Sequence, residues 1–266
     1  MSQVLILQHN AFFAPGRLQP IFRDFGIPCQ IRRIDKGDEV PTDLDEIRML
    51  VVLGDTVRLT DPADTRPAYI AQELETLSRL VQADRPVLGI GTGAQLLALA
   101  AGAKVTRNVK PGPTPESPGT PSPEFGWGPV NFPFPGGTEP IVFGMVDGSP
   151  FFHWHADTFD LPRLPAPQNP PPGPPPPTGN ALLASTPKTR NQAFRFKNRL
   201  FGFQFHFELT EAEIEQIVAN NGQSLDGTGV SVDQIRSDTK THYPRYARLG
   251  DRLTGNLVQF LRAYNP

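Results

Sequence analysis

Three stretches of this chain hold residue types that could do chemistry. In the first, an apolar run (Val87-Leu88) enters Gly89-Ile90-Gly91-Thr92-Gly93-Ala94-Gln95 and a helix pattern leaves it. A strand, a glycine-spaced turn and a helix form the shape of a nucleophile elbow. There one residue is held at positive φ above a sheet, and the amides that follow can hold an oxyanion. Similar turns occur at phosphate sites and in plain tight bends. In the second stretch, His206 and Glu208 lie two apart, hence on one face of a strand, where the carboxylate can orient the imidazole. A hydrogen-bonded structural pair explains those two residues equally well. In the third, His153, His155 and Asp157 share a face in the same way. Together with His206 and Glu208 they offer the donors of a metal site.

These residues need a scaffold. Residues 4–7, 30–34, 49–53 and 87–90 read as strands, and the third and fourth are apolar almost throughout, as in a sheet covered on both faces. Helical spacing runs over 17–25, over 67–83 behind Pro67, and over 93–101. Strand alternating with helix predicts a doubly wound α/β sheet. The second half is richer in strands, at 128–132, 151–154, 181–185, 192–196 and 200–205. Helices follow at 211–220, with Thr210 as N-cap, and in a C-terminal tail at 243–264. The pattern predicts a single domain over 1–266.

Composition narrows the function. With 38% hydrophobic and 20% charged residues over 266 positions, the chain can bury a core. Its net charge of -2 argues against a nucleic-acid or anionic-membrane surface. The apolar runs are too short for a membrane span, and the first residues lack a signal-peptide pattern, so a cytoplasmic location is expected. The lone cysteine, Cys29, excludes an intrachain disulfide and a cysteine-rich zinc site. Sixteen of the 31 prolines fall in two stretches, at about 111–123 and 162–178, which read as stiff surface insertions.

The segment from Gly89 to Gln95 resembles the nucleophile motif G-I-C-x-G-x-Q of class I glutamine amidotransferases. Other motifs follow in the order of that family. They are Leu7-Gln8-His9 with Pro15-Gly16-Arg17-Leu18, Glu124-Phe125-Gly126-Trp127, Phe152-His153-Trp154-His155-Ala156-Asp157-Thr158-Phe159, Asn191-Gln192-Ala193-Phe194 and Gln204-Phe205-His206-Phe207-Glu208. Within the family, the nearest likeness is to stand-alone proteins similar to the amidotransferase part of GMP synthase. The resemblance implies a flavodoxin-like three-layer α/β/α sandwich with a mixed, mostly parallel sheet. It also implies a catalytic dyad at His206 and Glu208, and a ligand or oxyanion site drawn from Gly54, Asp55, Thr92, Gln95, His155 and Asp157. It accounts for the histidines without a metal, and no cofactor is expected.

Two departures bear on function. Gly91 stands where the family has its cysteine, and glycine has no side chain to attack an amide. Asp55 stands within Gly54-Asp55-Thr56, where the family has Gly-Gly-Pro at its oxyanion hole. A carboxylate there would oppose developing negative charge unless it turns aside to cap the turn. Ala156 in place of glycine before Asp157 is a milder change. The expected function is an amidotransferase-like protein without conventional glutaminase activity. It would keep a pocket for a small molecule bearing an amide or carboxylate, or a surface for a partner protein. Two alternatives stand beside it. One is a hydrolase or amidotransferase of altered chemistry, using His206 and Glu208. The other is a deliberately inactivated form of an ordinary amidotransferase, which Asp55 argues against.

Overall fold

Side-chain alternation along the apolar runs sorts the molecule into layers. The computed structural model describes residues 3–45, 47–112, 114, 117–165 and 179–263. The first half holds β1 (Gln3–Gln8), α1 (Leu18–Asp24), β2 (Cys29–Arg33), β3 (Ile47–Val52), α2 (Ala68–Gln82), β4 (Val87–Ile90) and α3 (Thr92–Ala100). Next come β5 (Val105–Arg107), β6 (Val109–Lys110), β7 (Thr120–Pro121), β8 (Glu124–Val130), β9 (Ser149–His155) and β10 (Asp157–Phe159). The chain closes with β11 (Asn180–Ala184), β12 (Ala193–Phe196), β13 (Leu200–Phe203), α4 (Glu211–Asn221) and α5 (Val232–Ala263).

Seven strands form the central sheet in the order β11-β12-β13-β4-β3-β1-β2. The run from β13 to β2 is parallel, and β11 and β12 add antiparallel pairs at one edge. This is the mixed, mostly parallel sheet expected of the flavodoxin-like class. Val4, Ile6, Met49, Val51, Leu88, Ile90, Phe201 and Phe203 face one core, with buried residues of α1, α4 and α5. Leu5, Leu7, Leu50, Val52, Val87 and Leu200 face the other, with α2 and α3. A period of two along each strand thus fills both faces and buries almost every residue of β1, β3 and β4, as a sheet covered by helices requires.

Two local features set the site. Close packing of α3 on β3 depends on Gly93, where a Cβ would lie 2.0 Å from the Val52 carbonyl oxygen. Away from the central sheet, β8 pairs antiparallel with β9, opposing Glu124 to His155 and Gly126 to His153. A single bridge ties that ribbon to the chain beyond β13, with the His206 amide donating to the Phe152 carbonyl at 2.8 Å.

The helix expected at 243–264 begins eleven residues earlier, at Val232, and Pro244 lies inside it. Ile235, Thr239 and Tyr246 are buried along its inner face, so packing carries the helix across a proline that removes one of its hydrogen bonds. Thr210 caps α4 in a reciprocal capping box with Glu213. The first proline-rich stretch is anchored at its base by the β6–β7 pair. Of the second, residues 166–178 lie outside the described residues, as do positions 113, 115 and 116 of the first. Among the described residues, no helix is long and apolar enough to cross a membrane.

Candidate functional site

The parallel strands deliver their C-terminal ends to one rim, where doubly wound sheets place their ligands. Gly54 follows β3, Gly91 follows β4 and His206 follows β13. Gly91 has φ 59 and ψ -121, values that glycine adopts freely and L-residues adopt only under strain. It caps the start of α3, whose first amides have no acceptor within the helix. A Cβ placed on Gly91 would lie 3.1 Å from His206 Cε1, 3.3 Å from His206 Nε2 and 3.3 Å from Gly54 Cα. The imidazole therefore leans on the point from which a nucleophile would project.

His206 is held by two supports. Its Nδ1 meets Glu208 Oε1 at 2.7 Å, and both side chains are buried. Glu208 Oε2 in turn accepts the Phe207 amide at 2.9 Å. Phe13 stacks on the ring, with centroids 5.0 Å apart and planes 15° from parallel. With Nδ1 on a carboxylate, Nε2 is the nitrogen turned toward Gly91, as in a catalytic triad. The pair stands at the bend where position 91 carries no side chain.

The other expected residues line a cleft of about 470 Å³ beside this point, with walls that include Asp55, Thr92, Gln95, His155 and Asp157. The Asp55 carboxylate is taken up by its surroundings. It accepts from the Thr56 amide at 2.6 Å, from Tyr69 Oη at 2.5 Å and from Asn10 Nδ2 at 3.3 Å. Burial and this bond to Asp55 push the Tyr69 phenol well above its ordinary range. Thr92 donates its hydroxyl to the Asp55 carbonyl at 3.0 Å, which occupies the proton a nucleophilic threonine would have to lose. Gln95 Nε2 donates to Gln204 Oε1 at 3.0 Å. Asp157 accepts from Thr60 Oγ1 at 2.8 Å and pairs with Arg58 at 3.5 Å.

Cys29 lies elsewhere. It opens β2, the edge strand three places from β4, at the end of the sheet opposite the rim. Burial pushes its thiol up to about 11, the reverse of an activated nucleophile.

Sequence reasoning missed two groups. One is a buried pair beside Gly54, His9 Nε2 to Glu73 Oε1 at 2.6 Å, with Tyr69 stacked on the His9 ring at 5.4 Å. Burial opposes charge on His9, but the hydrogen bond and charge of Glu73, with Asp55 adding, hold its pKa above the ordinary value. The other is Glu124, set against His155 and Gln192. Burial works against the charge on Glu124, but the hydrogen bonds and histidines around it pull its pKa to about 2. Spacing could not announce either pair, because the partners come from different elements.

Residues 21–223 match the family model described as glutamine amidotransferase class-I. The chain belongs to that family. This amidotransferase homologue is 26% identical over 268 residues to YfeJ of Salmonella typhimurium, described as a glutamine amidotransferase-like protein, with 99% of each chain covered. Among solved structures it is similar to a glutamine amidotransferase of Thermotoga maritima, at 22% identity, TM-score 0.76 and 97% of each chain. A glutamine amidotransferase of Methylobacillus flagellatus matches at 22% identity and TM-score 0.78, covering 98% of this chain and 95% of that one. The structural likenesses speak for the fold, which is that of the class I amidotransferases.

Proposed function

We propose that this chain is a glutamine amidotransferase homologue without conventional glutaminase activity, which uses the cleft beside Gly91 to hold a small amide or carboxylate, or to bind a partner protein. The reading rests on one observation. The backbone at Gly91 has the dihedral angles of a nucleophile elbow, His206 and Glu208 stand beside it, and no side chain projects from the apex. Covalent glutaminase chemistry needs a thiolate there to attack the amide carbon. Asp55 supports the same reading, since it replaces a glycine of the family's oxyanion hole and its carboxylate is engaged by Thr56, Tyr69 and Asn10. A deliberate inactivation of an ordinary enzyme would explain Gly91 but not Asp55. A cytoplasmic location fits a binder of small polar metabolites.

What the remaining groups can do follows from their chemistry. The α3 amides and the Gln95–Gln204 pair offer donors to a carboxylate or amide oxygen. Arg58 and Arg107 also line the cleft, paired with Asp157 and Asp61, beside the carboxylates of Asp55, Asp157 and Asp226. The direct experiment measures ammonia release from glutamine by the purified protein, beside binding of glutamine and glutamate by calorimetry. Binding without release is expected. Robust release that vanishes in His206→Ala defeats the proposal.

A second reading has its own support. His206 Nε2 faces the bare apex while Glu208 fixes the ring, the arrangement of a general base poised over a water. The protein would then hydrolyse an amide or ester without a covalent intermediate. A screen of small amides and esters tests this, with His206→Ala as control. Absence of any rate that depends on His206 removes it.

A further inference from the structure

Behind the cleft wall, the β8–β9 ribbon brings three ligand-type side chains together. Glu124, His153 and His155 are all buried, and one donor atom from each lies within 4.8 Å of the other two. The pairing explains why. Glu124 sits directly across from His155, and His153 lies two residues along the same face.

Their hydrogen bonds leave a surplus of acceptors. His155 Nδ1 is 3.0 Å from the Asp157 carbonyl, which can only accept, so Nδ1 carries a proton there. While the ring is neutral, Nε2 presents a lone pair to Glu124 Oε2 at 3.5 Å, and a proton or a metal ion between them is what joins the two. Two acceptors thus face each other, and they share one donor, the Gln192 amide, at 3.3 Å and 2.5 Å. His153 reaches only the Gly128 backbone, outside normal hydrogen-bond geometry, although the ring is fully buried, and the Gln192 carbonyl oxygen is also without a partner. Buried polar atoms with no partner are uncommon, and their concentration at one point calls for a cation.

We propose that Glu124, His153 and His155 form a binding site for a single divalent transition-metal ion of the zinc class. Imidazole nitrogens with one carboxylate select zinc, cobalt or nickel over magnesium or calcium. Tetrahedral zinc with bonds of about 2.0–2.2 Å sets its ligands roughly 3.4 Å apart, so the three atoms need close by only about 1.4 Å or less. The partners outside the ligand shell are in place. The Asp157 carbonyl orients His155, and Thr186 and Gln192 hold Glu124. His155 lines the cleft, which gives the ion a route in. The site departs from the expectation of no metal, because Glu124 joins the two histidines only through strand pairing.

The test uses the metal alone. Purified protein is stripped with chelator and titrated with Co(II), following the visible absorption of the tetrahedral ion, and with Zn(II) by calorimetry and thermal melting. The expected result is one equivalent bound, a melting temperature raised by Zn(II), and affinity reduced roughly a hundredfold or more in Glu124→Gln and in His153→Gln. His242→Gln, at the fifth histidine, whose ring packs on Trp127 of β8 and is not one of the three ligands, is expected to bind as the native protein does. Circular dichroism establishes that each variant is folded, and the more conservative Glu124→Gln carries the test if His153→Gln is not. Sub-stoichiometric binding to the folded native chain, with a proton alone bridging His155 and Glu124, overturns the proposal. So does full binding retained in folded Glu124→Gln.

Discussion

Placing a side chain at the apex of the elbow interrogates the site most sharply. Gly91→Cys places an L-residue at φ 59 and ψ -121, a conformation that costs roughly 1–3 kcal/mol outside glycine. The new Cβ would also sit 3.1 Å from His206 Cε1, so the ring must retreat by a few tenths of an ångström against Phe13 and Glu208. Crowding of that kind adds about 1 kcal/mol. The variant is therefore expected to be about 2–4 kcal/mol less stable than the native chain. For a domain of this size that lowers the melting temperature by roughly 5–15 °C. Gly91→Ala should lose a similar amount, because the strain lies in the backbone and the Cβ. The thiol gained lies beside His206 and the start of α3, both of which favour thiolate. A diazoketone analogue of glutamine should then label the variant at position 91, read by intact mass, and labelling should disappear when His206→Ala is added to Gly91→Cys. Adding Asp55→Gly to Gly91→Cys is expected to speed labelling roughly tenfold, by removing negative charge from the rim. Two outcomes refute the reasoning. One is a Gly91→Ala variant as stable as the native protein. The other is labelling at position 91 that ignores His206.

Two further predictions concern the supports of the site. The raised pKa of His9 makes its pairing with Glu73 a source of stability that is complete below about 6.5, the ordinary value, and lost as pH rises through the folded value. Urea midpoints of the native chain minus those of His9→Gln should fall over that interval, and a difference that stays flat or rises contradicts the assignment. Tyr246 Oη accepts the Leu209 amide at 2.9 Å just beyond Glu208, in a fully buried place. Tyr246→Phe strands that amide and should cost about 1–3 kcal/mol in chemical denaturation.

Much of the scaffold was legible because it obeys local rules. Apolar runs such as Met49-Leu50-Val51-Val52 admit little but a strand buried on both faces, and Thr210 followed by Glu213 announces a helix start. The turn at Gly91 was legible because glycine spacing, a preceding strand and a following helix coincide. Other features depend on contacts between distant elements. The last helix read from residue 243, yet Ile235 and Thr239 pack inward and carry it back to Val232, across Pro244. The strands β5 and β10 are three residues each and exist through mutual pairing. Asp55 was poised between opposing an oxyanion and capping a turn. Its bond to the Thr56 amide fits the cap, while its anchors Asn10 and Tyr69 come from other segments that no spacing rule joins to it. Phe13, the platform under His206, carried no signal at all.

Whether glutamine can be held covalently anywhere on the native polypeptide goes straight to the central claim. Rapid quenching after mixing with isotopically labelled glutamine, followed by intact mass and peptide mapping, should find unmodified protein at every time point. A γ-glutamyl adduct on any residue, formed at a rate that falls when His206 is replaced, would contradict it.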